Sequence, residues 1–259
     1  MNMTASRLFA VVFTMPMLAG LVVACGGGDD DGLTNPDLAA GQINCVPFTA
    51  VSYEFNTEAV LEVGEKDGTP EADAPPAPPP FTFTEVVEGR VEDGDKAYVH
   101  TWSTDGVSNG EFEAVHYPDR GWLNWADSGW TEQDISVRAL PFRYRPWDVC
   151  NALAPDVNTE SLAARESEEV NSVDSTGYSI DGIESDFFAA EPSFGGGSDP
   201  ANYIDTFEGT VWIADEGAYI TRLQMTATGH YPDGTRLTFT MDFEISNVGG
   251  DISVDPPDV

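Results

Sequence analysis

Between positions 51 and 63 the chain alternates. Val51, Tyr53, Phe55, Thr57, Ala59, Leu61 and Val63 take the odd places, while Ser52, Glu54, Asn56, Glu58 and Glu62 take the even ones, with Val60 the single apolar intruder. A period of two sets one side of an extended chain against a core and the other in water, so this stretch predicts a half-buried strand. Positions 65–80 are acidic and rich in proline, which predicts an exposed loop insertion between two strands. Alternation resumes at Phe81, Phe83, Val87 and Val91, and further strands follow at hairpin spacing over 96–103, 111–117 and 121–125.

The pattern then changes. Pro146 suits the first position of a helix, Trp147, Cys150 and Leu153 share one face, and Pro155 stops the run, which predicts a short helix over 146–154. A second helical turn is expected over 160–165, capped by Asn158 or Thr159. Strands return over 168–175 and 182–190, and a glycine-rich loop at 194–199 precedes a meander over 207–214, 218–230 and 236–245, turning at 215–217 and 231–234. In its last two strands Tyr219, Leu223, Met225 and Ala227 oppose Arg222, Gln224, Thr226 and Thr228; Leu237, Phe239, Met241, Phe243 and Ile245 then alternate with Thr238, Thr240, Asp242 and Glu244. One face is apolar and the other wet. The expected fold is α+β, mostly β: a strongly curved antiparallel sheet with short helices over its concave apolar face. That face is assigned to Tyr53, Phe55, Phe81, Phe83, Leu223, Met225, Ala227, Phe239, Met241 and Phe243.

Charge narrows the class of partner. The chain of 259 residues carries 45 Asp and Glu against 11 Lys and Arg, a net charge of −34. Nucleic acid is excluded as a partner, because phosphate binding needs a basic stripe and the few basic residues form none. The acids are spread over the whole chain, as on a solvated surface outside the cytoplasm.

The first 24 residues read as an export signal, with Arg7 before an uncharged apolar stretch over 8–24 and an acidic Gly-Asp run behind it instead of a basic stop. Leu21-Val22-Val23-Ala24-Cys25 resembles a bacterial lipobox, with Val22 where leucine is usual; the resemblance implies cleavage before Cys25 and a lipid on its sulfur. Residues 25–44 then form a lipidated, flexible acidic tether reaching on the order of 25 Å, and one domain occupies 45–259. With Cys25 lipidated, Cys45 and Cys150 remain, either as a disulfide in an oxidising compartment or as two buried thiols.

Candidate chemistry is sparse. Gly106-Val107-Ser108-Asn109-Gly110 matches a hydrolase nucleophile elbow, but that motif needs a helix after it and here a strand follows; Asn109-Gly110 marks a hairpin turn. The tetrapeptide His-Tyr-Pro-Asp occurs at 116–119 and again at 230–233, where turn chemistry explains both copies and no third ligand completes a metal site. No catalytic residue, metal or cofactor is expected. Trp122, Trp125 and Trp130 read as packing residues.

Taken together, the lipobox, the opening Ser52-Tyr53-Glu54-Phe55, the segments 117–122 and 129–131, the central 180–187, and 209–215 with its following strands resemble the LolA-like lipoprotein carriers and the mycobacterial LppX/LprG-type lipid-binding lipoproteins. The resemblance spans nearly the whole mature domain. It implies a half-barrel sheet enclosing a cavity for a lipid or other hydrophobic ligand, no enzyme activity, and anchorage on the outer side of the cell membrane through Cys25. The proline-rich insertion, the cysteine pair and the brief helices depart from that family, which leaves a second expectation: a non-catalytic cell-envelope protein-interaction module of the same fold with a filled core.

Overall fold

The computed structural model describes residues 38–71, 79–126, 128–133, 146–181 and 204–259. Cys25, the strand expected at 182–190 and the glycine-rich loop at 194–199 lie outside the described residues, as do the leader and most of the tether.

A four-residue helix α1, Pro47–Ala50, leads into β1, Tyr53–Lys66. Then come β2, Phe81–Glu92; β3, Lys96–Thr104; β4, Asn109–His116; β5, Gly121–Trp125; and β6, Thr131–Gln133. Helix α2, Pro146–Leu153, separates these from β7, Ala164–Val170; β8, Val173–Ser179; β9, Ile204–Ala214; β10, Ile220–His230; and β11, Thr235–Ser246. The eleven strands make one antiparallel sheet in the order β6-β5-β4-β3-β2-β1-β11-β10-β9-β8-β7, open at both ends and not closed into a barrel. The first and last long strands, β1 and β11, meet at its centre.

Register explains why one face is dry. In an antiparallel pair, directly opposed residues point to the same side. One row therefore runs from Trp125 through Phe112, Thr101, Val87 and Thr57 to Phe243, Leu223, Val211 and Tyr178. Its central members are sealed, with Thr57, Phe243, Leu223 and Val211 all at 0% exposure. A single apolar cluster reaches from Val99 on β3 to Val211 on β9, which requires the sheet to curl around it.

The helices close one end of this trough. Phe48 of α1 meets Tyr53 and Tyr219 edge-on at 5.6 and 6.4 Å, and Val149, Cys150 and Leu153 of α2 are fully buried. Cys45 and Cys150 form a disulfide with Cα atoms 5.7 Å apart. Residues expected at the end of the tether are built into the domain. Asn44 is 1% exposed, its amide N–H and side-chain amide donate to the carbonyls of Ala218 and Gly217, and Thr159 N–H donates to Gly41.

Two local expectations differ from the structure. The segment read as one strand over 168–175 is a hairpin, with Asn171 and Ser172 at φ 49° and 69° between β7 and β8, the left-handed pair that a tight two-residue turn needs. The helical turn expected over 160–165 is a single non-helical turn in which Asn158 Oδ1 accepts the Glu160 N–H, and the chain is extended again by Ala164. Asn158 caps as predicted, but edge pairing with β8 claims the next residues before a helix can propagate.

On the outer side of the sheet a smaller apolar cluster joins Val115 and Trp122 to Val254 of the C-terminal segment. Tyr117 donates its hydroxyl to the Val254 carbonyl at 2.7 Å, and the Val254 N–H donates to Glu92 at 2.8 Å.

Candidate functional site

The ten residues assigned to the apolar face all lie on it. Pairing sets Phe83, Phe239 and Ala227 in the row of Leu61, Met241 and Met225 in the row of Ala59, and Phe243 and Leu223 in the row of Thr57, while Phe81 stands opposite Val63. Tyr53 and Phe55 continue the face toward α1. Leu223, Ala227 and Phe243 are at 0% exposure and Met225 and Met241 at 3%, while Phe81 and Phe83 are half-buried. A cavity with room for even one water would leave its lining measurably exposed, so this face is packed at its centre.

Polar atoms inside it stand out. The hydroxyls of Thr57 and Thr101 sit two strands apart in one row, buried and without a hydrogen-bond partner among the described residues. Tyr53 keeps its phenol by donating to the Phe48 carbonyl at 3.3 Å; burial, and then the Asp148 carboxylate, hold it protonated far above the usual tyrosine range.

The opposite face carries the charge. Glu58 of β1, Asp242 of β11, Gln224 of β10 and Thr210 of β9 follow one another in a single row, and Glu208, Thr226, Thr240 and Val60 form the next. Between these rows a groove of about 460 Å³ opens, with Arg165 and Asp181 at one end. Asp181 is fixed there by the Ser179 hydroxyl at 2.7 Å and the Gly209 N–H at 2.9 Å, which hold its carboxyl below the usual range, with Arg165 beside it. Arg222 engages Asp242 at 3.0 Å and Glu244 at 3.1 Å and lies over the Trp212 ring. Glu58 and Glu208 have no ion-pair partner among the described residues. Further along, Tyr98 donates to Glu113 at 2.6 Å; burial first, then that bond, push its phenol up to about 12.

Sequence reasoning read these outward positions as solvent-facing and did not connect them. The groove needs the register of β1 against β11, strands separated by most of the chain, and no local pattern encodes that distance.

Ser108 sits at the tip of the β3–β4 hairpin, its hydroxyl donating to the Asp105 carboxylate at 3.1 Å and its N–H at 2.7 Å. Strands flank it on both sides, so the elbow geometry of a hydrolase serine is missing. His100 meets Glu111 at 2.9 Å. The two His-Tyr-Pro-Asp copies end β4 and β10, His116 buried and His230 half-exposed. No cluster of three or more metal-ligating side chains occurs among the described residues.

The architecture and these sites define an open, single-sheet β protein with a disulfide-stapled helical cap. No family model matches the chain, and no curated protein matches it. Among solved structures it is similar to a β-barrel-like protein of a domain of unknown function, DUF1849, from Brucella abortus, at 8% identity and a TM-score of 0.23, over 76% of this chain and 97% of that one. A TM-score of that size does not establish a shared fold. No described helix is long and apolar enough to cross a membrane.

Proposed function

We propose that this chain is a non-catalytic lipoprotein of the outer side of the cell membrane that docks a cationic partner on the polar face of its sheet. The observation that carries the reading is the contrast between the two faces. The apolar side is packed at its centre, whereas the polar side holds an open groove between the carboxylates of Glu58 and Glu208, neither of which is ion-paired among the described residues. Hydroxyls of Thr210, Thr226 and Thr240 line that groove, and with the acids they suit an amine or guanidinium, which can donate to each of them. A net charge of −34 draws such a partner in over a distance and repels acidic competitors.

The docking site is tested with a fluorescent oligolysine at low and moderate salt. Glu58→Gln with Glu208→Gln is expected to weaken binding severalfold, since exposed ion pairs contribute up to ~1 kcal/mol each. A charge-matched control, Asp251→Asn with Asp255→Asn, alters the same net charge away from the groove. Equal loss in both variants would mean that only bulk charge is felt, and would refute the groove.

Anchorage rests on the lipobox at Cys25 and the acidic segment behind it. Two acyl chains hold a protein on a bilayer where one does not. Cys25→Ser is expected to move the protein from the detergent phase to the aqueous phase and to lower its mass by the lipid. An unchanged partition and mass would remove the anchor from the proposal.

Carriage of a lipid in the curled sheet is the second reading, and the Thr57 and Thr101 hydroxyls favour it. Each buried, unpaired hydroxyl costs about 1–3 kcal/mol, a cost that a ligand's carbonyl or hydroxyl would offset. On this reading the apolar face beside them, packed in this structure, would have to open to take the acyl chain.

A further inference from the structure

We infer that the second His-Tyr-Pro-Asp copy is a pH-sensitive clasp on the chain as it leaves β1. His230 ends β10 with its ring between two carboxylates: Nε2 is 2.9 Å from Asp67 Oδ1, and Nδ1 is 3.0 Å from Asp205 Oδ2. Ionised carboxylates only accept hydrogen bonds. Both contacts therefore need both ring nitrogens to donate, which only the imidazolium form can do.

The rest of the turn grips the same segment. Asp67 and Gly68 donate their N–H groups to the Gly234 carbonyl at 3.1 and 3.0 Å, Glu71 donates to the Pro232 carbonyl at 2.7 Å, and Lys66 pairs with Asp233 at 2.7 Å. Gly68 lies so close under the imidazole that a Cβ there would come within 2.8 Å of the ring carbon Cδ2. The charged groups around His230 are thus Lys66 and Asp67 at the end of β1, Asp205 on β9, Asp233 in the turn, and Arg236 on β11, which stands 4.0 Å from Asp67. The ring is 41% exposed and equilibrates with bulk solvent.

The hydrogen bond to Asp205, then that to Asp67, raises the histidine above its ordinary value. A raised value in the folded state stabilises the clasp fully below the unfolded value and is lost as pH climbs through the folded one. The clasp therefore holds fully in mildly acidic surroundings and loosens as pH rises through the raised value of His230. The first copy is placed differently, since His116 is buried at 0% exposure.

The test is amide hydrogen exchange at Gly68 and Glu71 across about pH 5–9, the window of a perturbed histidine, with rates corrected for intrinsic exchange and the His230 ring titrated by NMR in the same samples. Protection at both amides is expected to fall severalfold as pH passes the His230 midpoint, with that midpoint above the value of a free histidine. His230→Gln keeps the size of the side chain and removes its titration, so its protection is expected to be lower at acidic pH and flat across the range. Amides of Leu223 and Phe243 report whether each variant retains the sheet. A midpoint at or below the free value, or protection at Gly68 and Glu71 that ignores it while the sheet stays intact, overturns the clasp.

Discussion

Reducing the Cys45–Cys150 disulfide is expected to cost about 4–5 kcal/mol, the figure that chain entropy gives for a loop of this length, because the bridge closes a sequence separation of 105 residues. The bond restricts the unfolded chain, and in the folded one it holds the segment that leads into α1 against α2. For a domain of this size, the loss corresponds to a fall in Tm of roughly 10 °C or more. Differential scanning calorimetry with and without reductant measures it. Thiol titration of the unfolded, unreduced protein is the control: two free thiols from Cys45 and Cys150 would show that the bond does not form.

Ala227→Trp is expected to destabilise the protein by about 1–3 kcal/mol through overpacking. Ala227 is at 0% exposure, opposite Phe239 on β11 and Phe207 on β9, both large and both buried, so an indole there has to displace one of them. Denaturant unfolding of the variant, paired with native mass spectrometry of protein purified from an exporting host, separates the two functional readings. A packed core predicts lost stability and no bound lipid. If instead the variant keeps its stability and releases a lipid that the unsubstituted protein carries, the carrier reading takes precedence, and Thr57→Val should lower that lipid content.

Strands with one dry and one wet face were plain in the sequence. In β1, β10 and β11 the outward residues are polar with the exception of Val60, and the inward ones are apolar apart from a few threonines such as Thr57, because a curled sheet over a single core imposes that contrast on its central strands. The β7–β8 hairpin was not plain for the same reason in reverse. From Ala164 to Glu169 every residue of the edge strand β7 is exposed, so no alternation marks it, and Asn171-Ser172 is a weaker turn signal than Asn-Gly. Helix α1, at four residues, is shorter than any periodicity can register.

The site divides along similar lines. Membership of the apolar face could be read one strand at a time, since parity alone assigns it. The groove over Glu58 and Glu208 and the clasp at His230 depend on which strands lie side by side and in what register, and Asp67 and His230 are separated by 163 positions. Charge density hid them as well. With 45 acids in the chain, no single carboxylate announces a partner until geometry brings a histidine or an arginine to it.

The way residues 41–46 are fastened has a mechanical meaning. A pull applied at Leu38 loads the bonds of Gly41 to Thr159 and of Asn44 to Gly217 and Ala218 first, and then the covalent link at Cys45. All of these fastenings come before Tyr53 in the chain, so tension enters α2 and the β9–β10 turn before it reaches the N-terminal end of β1, the strand at the centre of the sheet. Unzipping β1 from its N-terminal end would require breaking a sulfur–sulfur bond first, and the domain can hang from its leading segment under drag without its core strand being peeled away.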